Sequence, residues 1–371
     1  MKLEALSFGG MTARRPIVQG GMGVGVSLSS LAGNVAKHGG VGTISGVHPG
    51  YREPDFKENP FKANMRAIGK ELEKAKEIAP DGIIGFNYMT VINHYEEYVK
   101  EAMAAGADFI VSGAGLPVNL AKYAAGTKSA ILPIVSSARA LKLIVKNWQR
   151  VDRLPDAVVV EGPLAGGHLG FKYSDMVGGT FDSLEDCLTD VLGYVRELEE
   201  ANGVKIPVIA GGGVRTHADV ERLVKLGAAG VQVGTKFVAT EECDAALPFK
   251  QAYLNSTPQE VRLIESPVGL AARAIDNPFL QRVDEMGRIP VQKCYQCMNH
   301  CKPAETKYCI SQALIDSVQG KEGLVFCGAN AHELKELSTV EKVMKELCGE
   351  YKIKKNVILK RNDVLFVWEF F

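Results

Sequence analysis

The stretch Val158-Val-Val-Glu-Gly-Pro-Leu-Ala-Gly-Gly-His-Leu-Gly170 carries one titratable ring, His168, in a run stripped of side chains by Gly166, Gly167 and Gly170. Glycine lets backbone approach a ligand closely, and an imidazole with the ordinary pKa of about 6.5 can take up a proton near neutral pH. His168 is therefore the candidate catalytic base. A second constellation lies downstream, in Ala210-Gly211-Gly212-Gly213-Val214 and Gln232-Val-Gly234-Thr235-Lys236. Bare glycines ahead of a helix start present amides and a positive dipole end to an anion, and the Thr235 hydroxyl adds a donor. Either motif alone reads equally well as a tight turn; the two together predict a phosphate cradle. A third is Cys294-x2-Cys297-x3-Cys301-x7-Cys309. Four bunched soft thiolates are a ligand set for a [4Fe–4S] cluster or a structural zinc, with unligated thiols as the remaining reading.

These residues need a scaffold. Apolar runs at Ile17–Gln19, Val41–Ile44, Gly82–Phe86, Phe109–Ser112, Ile131–Val135, Ala157–Val160, Val208–Ala210 and Gly230–Val233 alternate with amphipathic stretches. The stretches are Leu28–His38, Pro60–Ile78, Asn93–Ala105, Pro117–Ala125, Ala138–Asn147, Ser183–Ala201, His217–Leu226 and Glu241–Tyr253. Continuous β-branched runs fit parallel strands buried on both faces, and eight βα units in this length predict an α/β (β/α)8 TIM barrel rather than an open doubly wound sheet. In such a barrel the strand ends of units six to eight bring His168 and the glycine cradle to one mouth. The expected division is a barrel over residues 1–255 and a smaller, mainly helical segment over 256–371 that carries the cysteines and packs on the barrel. The tail 351–371 can dock as a strand or a helix, or mediate dimer contacts. Gly20-Gly-Met-Gly-Val-Gly25 lacks the dinucleotide-binding spacing and its acidic partner, and no P-loop motif exists. Its glycines suit a backbone lying under a flat ring.

Taken in order, "PIVQGGMGVGVS", "LAGNVAKHGGVGTISG", "GFNYM", "SGAG", "EGPLAGGHLG", "IPVIAGGGV", "GAAGVQVGTKFVATEE" and "SPVGLAARAIDNPFL" resemble the flavin-dependent nitronate monooxygenases, once called 2-nitropropane dioxygenases. That family is related to flavin-dependent enoyl-ACP reductases and quinone reductases. The resemblance implies FMN in a TIM barrel, with its phosphate at Gly211, Gly212, Gly213, Gly234 and Thr235 and Gln232 beside it. It implies Met22 and Asn87 facing the isoalloxazine, backbone contact from Gly166, and Gly23, Gly167 and Glu161 among the cofactor-binding residues. His168 matches the family's base or anion-positioning histidine. Glu161 stands where nitronate monooxygenases often carry Gln, as in the enoyl reductases. Well-studied nitronate monooxygenases lack the cysteine bunch.

The expected activity is oxidative denitrification of alkyl nitronates with dioxygen. The alternatives are an NAD(P)H-dependent enoyl thioester or quinone reductase and, in another class, a non-redox isomerase or lyase using the cradle for a phosphorylated substrate. Composition bounds the partners. With 46% hydrophobic and 23% charged residues and zero net charge, the chain reads as a globular protein with no attraction to nucleic acid or an anionic membrane. No apolar run approaches the roughly 20 residues that span a bilayer, and no signal peptide is visible, so a cytoplasmic enzyme is the expectation. A homodimer is the oligomer considered, and NAD(P)H the additional small-molecule partner. His48, in the loop after the second strand, is a further candidate for lining the pocket.

Overall fold

The computed structural model describes residues 3–351, 357–360 and 363–366. Eight parallel strands close on themselves: β1 (Ile17–Gln19), β2 (Val41–Ser45), β3 (Ile83–Met89), β4 (Phe109–Gly113), β5 (Ala130–Val135), β6 (Val158–Glu161), β7 (Val208–Gly211) and β8 (Gly230–Val233). Each pairs with its successor, and β8 returns to β1, so no edge is left open. This is the (β/α)8 barrel that the alternation predicts. Successive side chains on a strand point to opposite faces. One face (Val18, Val41, Ile83, Phe109, Val111, Leu132, Val159, Ile209) fills the barrel, and the other (Ile17, Ile44, Ile84, Ile110, Val160, Val231) packs under the helices. The hairpin Leu6–Phe8/Met11–Ala13 joins the first cluster, with the Phe8 ring edge-on to Phe109 at 5.9 Å between centroids.

The helices form where caps and stripes agree. Ser183 and Asp186 build a capping box for Leu184–Asn202, and Thr216 and Asp219 one for His217–Leu226. Two expected helices change. Pro117–Ala125 shrinks to Leu120–Tyr123, because the Pro117 carbonyl accepts the Leu120 amide and the buried Trp148 indole instead of propagating a helix. Glu241–Tyr253 becomes a short turn of helix, Thr235–Val238, and a later helix, Leu247–Asn255. The Asp244 carboxylate accepts the amides of Leu28, Ser30 and Leu31 at the start of the first barrel helix, which holds the intervening segment in a loop.

Beyond residue 255 the chain forms an antiparallel hairpin, β9 (Val261–Glu265) and β10 (Ala271–Ile275), then the helices Pro278–Met286, Ile310–Val318 and Val340–Leu347. Strand β10 pairs on its other side with Gly167–His168, giving a three-stranded sheet that stands outside the barrel. In the tail, Val357–Lys360 pairs antiparallel with Asp363–Phe366; residues 352–356, 361–362 and 367–371 lie outside the described set. Among the described residues no helix is long and apolar enough to cross a membrane.

Candidate functional site

A cavity of about 380 Å³ opens at the carboxyl ends of the barrel strands, within the range of small-molecule and cofactor sites. Met22, Gly23, Asn87, Glu161, Gly166, Gly167, His168, Gly212, Gly213, Gln232, Gly234 and Thr235 all line it. Gly211 does not: it is the last residue of β7, in register with Glu161 on one side and Gln232 on the other.

The wall is built from strand ends. The loop after β1 is folded by Ser27, whose amide donates to the Met22 carbonyl and whose hydroxyl accepts the Met22 amide. That brings Met22 over the end of β8, where a Cβ added to Gly234 would lie 3.3 Å from the Met22 sulfur. Asn87, near the end of β3, packs so closely under Gly21 that a Cβ there would collide with its side chain at 2.3 Å. After β7 the chain turns through Gly212 and Gly213 at φ +103° and +86°, conformations that L side chains rarely adopt. The Arg215 and Thr216 amides donate to Asp219, and Lys236 is paired with Glu346 at 2.9 Å. Lys236 is thus already neutralised at the cavity edge.

His168 stands on the three-stranded sheet, opposite Ala272 of β10. Its Nε2 is 2.8 Å from the Ser266 hydroxyl, and the Phe326 ring meets it edge-on at 5.0 Å. The Ser266 oxygen also accepts the Val268 amide at 3.4 Å, which leaves the serine proton free to point at Nε2. The buried Arg273 guanidinium donates to the Ala165 carbonyl and so ties the glycine loop to β10 from below. Burial pushes the His168 pKa down to about 4, which corrects the ordinary value expected from sequence. Burial pushes the Glu161 carboxyl the other way, up to about 7.

Other expectations resolve differently. His48 is buried outside this cavity, its Nε2 2.8 Å from the Ser311 hydroxyl and its Nδ1 3.3 Å from the Asn64 amide; it lines a neighbouring cavity. Ser137 caps the helix Ala138–Trp148, and Ser136 donates to the Glu161 carbonyl. Gly113 and Ala114 also line the main cavity. Sequence reasoning missed Ser266, Arg273 and the outer wall, to which Tyr253, Leu314, Phe326 and Cys327 contribute. Ser266 and Arg273 do lie inside the "SPVGLAARAIDNPFL" motif, the one signal that marked them. Cys294, Cys297, Cys301 and Cys309 line a separate cavity of about 200 Å³. All are free thiols, and among the described residues no three His, Cys, Asp or Glu side chains are grouped as ligands of a single metal ion.

The comparisons agree with this geometry. A probable nitronate monooxygenase of Bacillus subtilis is 24% identical over 356 residues, covering 91% of this chain and 96% of the relative. The structure of FabK from Thermotoga maritima superposes with a TM-score of 0.68 at 23% identity, covering 91% of this chain and 93% of that one. Nitroalkane oxidase from Streptomyces ansochromogenes gives 0.65 at 19% identity, with 91% and 96% covered. The nitronate monooxygenase family model matches residues 7–350, and the chain belongs to that family of oxidoreductases.

Proposed function

We propose that the protein is an FMN-dependent nitronate monooxygenase that oxidises alkyl nitronates with dioxygen. One observation carries the reading: a glycine-walled cavity at the strand ends faces a neutral histidine held from outside the barrel. The residues fit the flavin. Gly212 and Gly213, whose positive φ leaves backbone alone at the surface, and Gly234 with Thr235 would hold its phosphate. The loop Met22–Gly23, Asn87 and the backbone of Gly166 and Gly167 would line the ring. When bound, FMN supplies the electron acceptor that the polypeptide lacks.

The low proton affinity of His168 bears on the substrate. A base whose pKa is about 4 is far from the pH at which general-base catalysis of a neutral carbon acid is efficient. A nitronate arrives already ionised and needs no deprotonation. Beside its negative charge the imidazole gains proton affinity, so His168 can donate a hydrogen bond to the anion and hold it in place. Ser266 fixes the ring's orientation through Nε2.

Glu161 favours the second reading, an NAD(P)H-dependent enoyl thioester or quinone reductase, because a carboxyl at this strand end is the enoyl reductases' residue. The non-redox reading falls with membership of an oxidoreductase family. The experiment is an anaerobic titration of the purified flavoprotein. Bleaching of the flavin by propionate 3-nitronate, with none by NAD(P)H, is expected; rapid bleaching by NAD(P)H alone would replace the first reading with the second.

A further inference from the structure

The cysteine loop is built as a site and the flavin cavity makes no use of it. It is fixed to the barrel mouth from three directions. The Asn93 amide donates to the Cys297 carbonyl at 3.0 Å, the Asn93 side chain to the Gln296 carbonyl at 2.6 Å, and Ile92 bridges Met298. Within the loop, Gln296 takes a φ of +51° and returns its amide to the Cys294 sulfur at 3.4 Å. Cys309 occupies the N-cap of the helix Ile310–Val318. The four cysteines, with Pro267, Tyr295 and Tyr308 among their neighbours, line a cavity of about 200 Å³.

The donor set and the spacing decide what fits. No carboxylate or imidazole lines the cavity, which rules out a site for hard cations and selects a thiophilic metal. A mononuclear zinc with Zn–S bonds of about 2.3 Å draws four sulfurs to within roughly 3.8 Å of one another. Here the four cysteines line a cavity of about 200 Å³, far more space than one ion occupies, and among the described residues no three of them are grouped as ligands of a single ion. A cubane cluster has the opposite requirement: its thiolates sit on the outer corners of a body several atoms across, and its four irons fill the interior. We propose that Cys294, Cys297, Cys301 and Cys309 ligate a [4Fe–4S] cluster in this cavity. Loading exchanges four thiol protons for the four iron–sulfur bonds and changes no oxidation state of the protein.

The test uses the full chain purified without oxygen, then reconstituted with sulfide and equal parts of ferrous and ferric iron if iron is low. About four irons and about four acid-labile sulfides per chain are expected, together with visible absorption outside the flavin bands. Cys294→Ser and Cys301→Ser should lose both, while Cys187→Ser, in a barrel helix, keeps them. Alkylation of the unmutated protein followed by mass spectrometry covers the case in which the variants misfold. The four cysteines should resist iodoacetamide until the metal is chelated, with Cys187 as the internal reference. One zinc per chain, a disulfide among the four, or four freely alkylated thiols after reconstitution would each overturn the proposal. None of these readouts depends on turnover, so the result stands apart from the assignment of nitronate oxidation.

Discussion

At the scale of single residues, His168 and Glu161 share one wall and are driven in opposite directions by the same burial. His168→Ala removes a hydrogen bond to a charged substrate and should lower kcat/KM for a nitronate by roughly 10–10²-fold with flavin content unchanged, measured by oxygen uptake. Ser266→Ala should cost less, because it frees the ring without removing it. The Glu161 carboxylate, once ionised, repels an anionic substrate, so kcat/KM should fall as pH rises through about 7. Glu161→Gln should flatten that profile. Linkage gives the stability counterpart. The raised Glu161 pKa contributes stability present below its unfolded value and lost as pH rises through about 7; the lowered His168 pKa contributes stability present above about 6.5 and lost as pH falls through about 4. Glu161→Gln should therefore raise Tm at pH 8 and leave it unchanged at pH 4. His168 was legible from its glycine setting, and the glycines from their density. Ser266 was not: a hydroxyl 98 residues away leaves no spacing signal.

At the scale of elements, strands β1 to β8 were readable because parallel strands buried on both faces leave unbroken apolar runs. The helices at 117–125 and 241–253 misled because local pattern cannot foresee the pull of Trp148 on the Pro117 carbonyl, or of Asp244 on the amides of another helix. The pairing of Gly167–His168 with β10 was equally invisible, since a two-residue strand has no period. Two substitutions probe these elements. In Gly212→Ala the new Cβ would lie 3.0 Å from the Gly162 carbonyl oxygen at a φ of +103°. That conflict should weaken flavin binding at least about tenfold, read from released flavin fluorescence, at a conformational cost of order 1–3 kcal/mol. Arg273→Met removes the buried donor to the Ala165 carbonyl. Unfolding midpoints in urea should show a loss of about 1.5–3 kcal/mol, the range for hydrogen bonds involving a charged group.

At the scale of the whole molecule, the site belongs to both ends of the sequence. Strand ends from β1 to β8 supply its floor, while Leu314, Phe326 and Cys327 supply its roof. We infer that the barrel and the segment 256–351 act as floor and cover of one site. A chain cut after Asn255 should fail to retain flavin on gel filtration even if its circular dichroism still reports a barrel. Composition and rhythm reveal the barrel because its contacts run between neighbouring units. They do not reveal the cover, whose contacts with the barrel join residues about a hundred positions apart, as Gly167–His168 and Ala272–Arg273 do.

That last pairing sets a schedule for biosynthesis. The ribosome releases all eight staves before it has made the partner strand for His168, and domains begin to fold as they emerge. A nascent chain halted before Ala271 holds the imidazole on an unpaired ribbon. On the proposed reading as a flavoprotein, capture of the flavin follows synthesis of this strand, and a stalled polypeptide should emerge colourless.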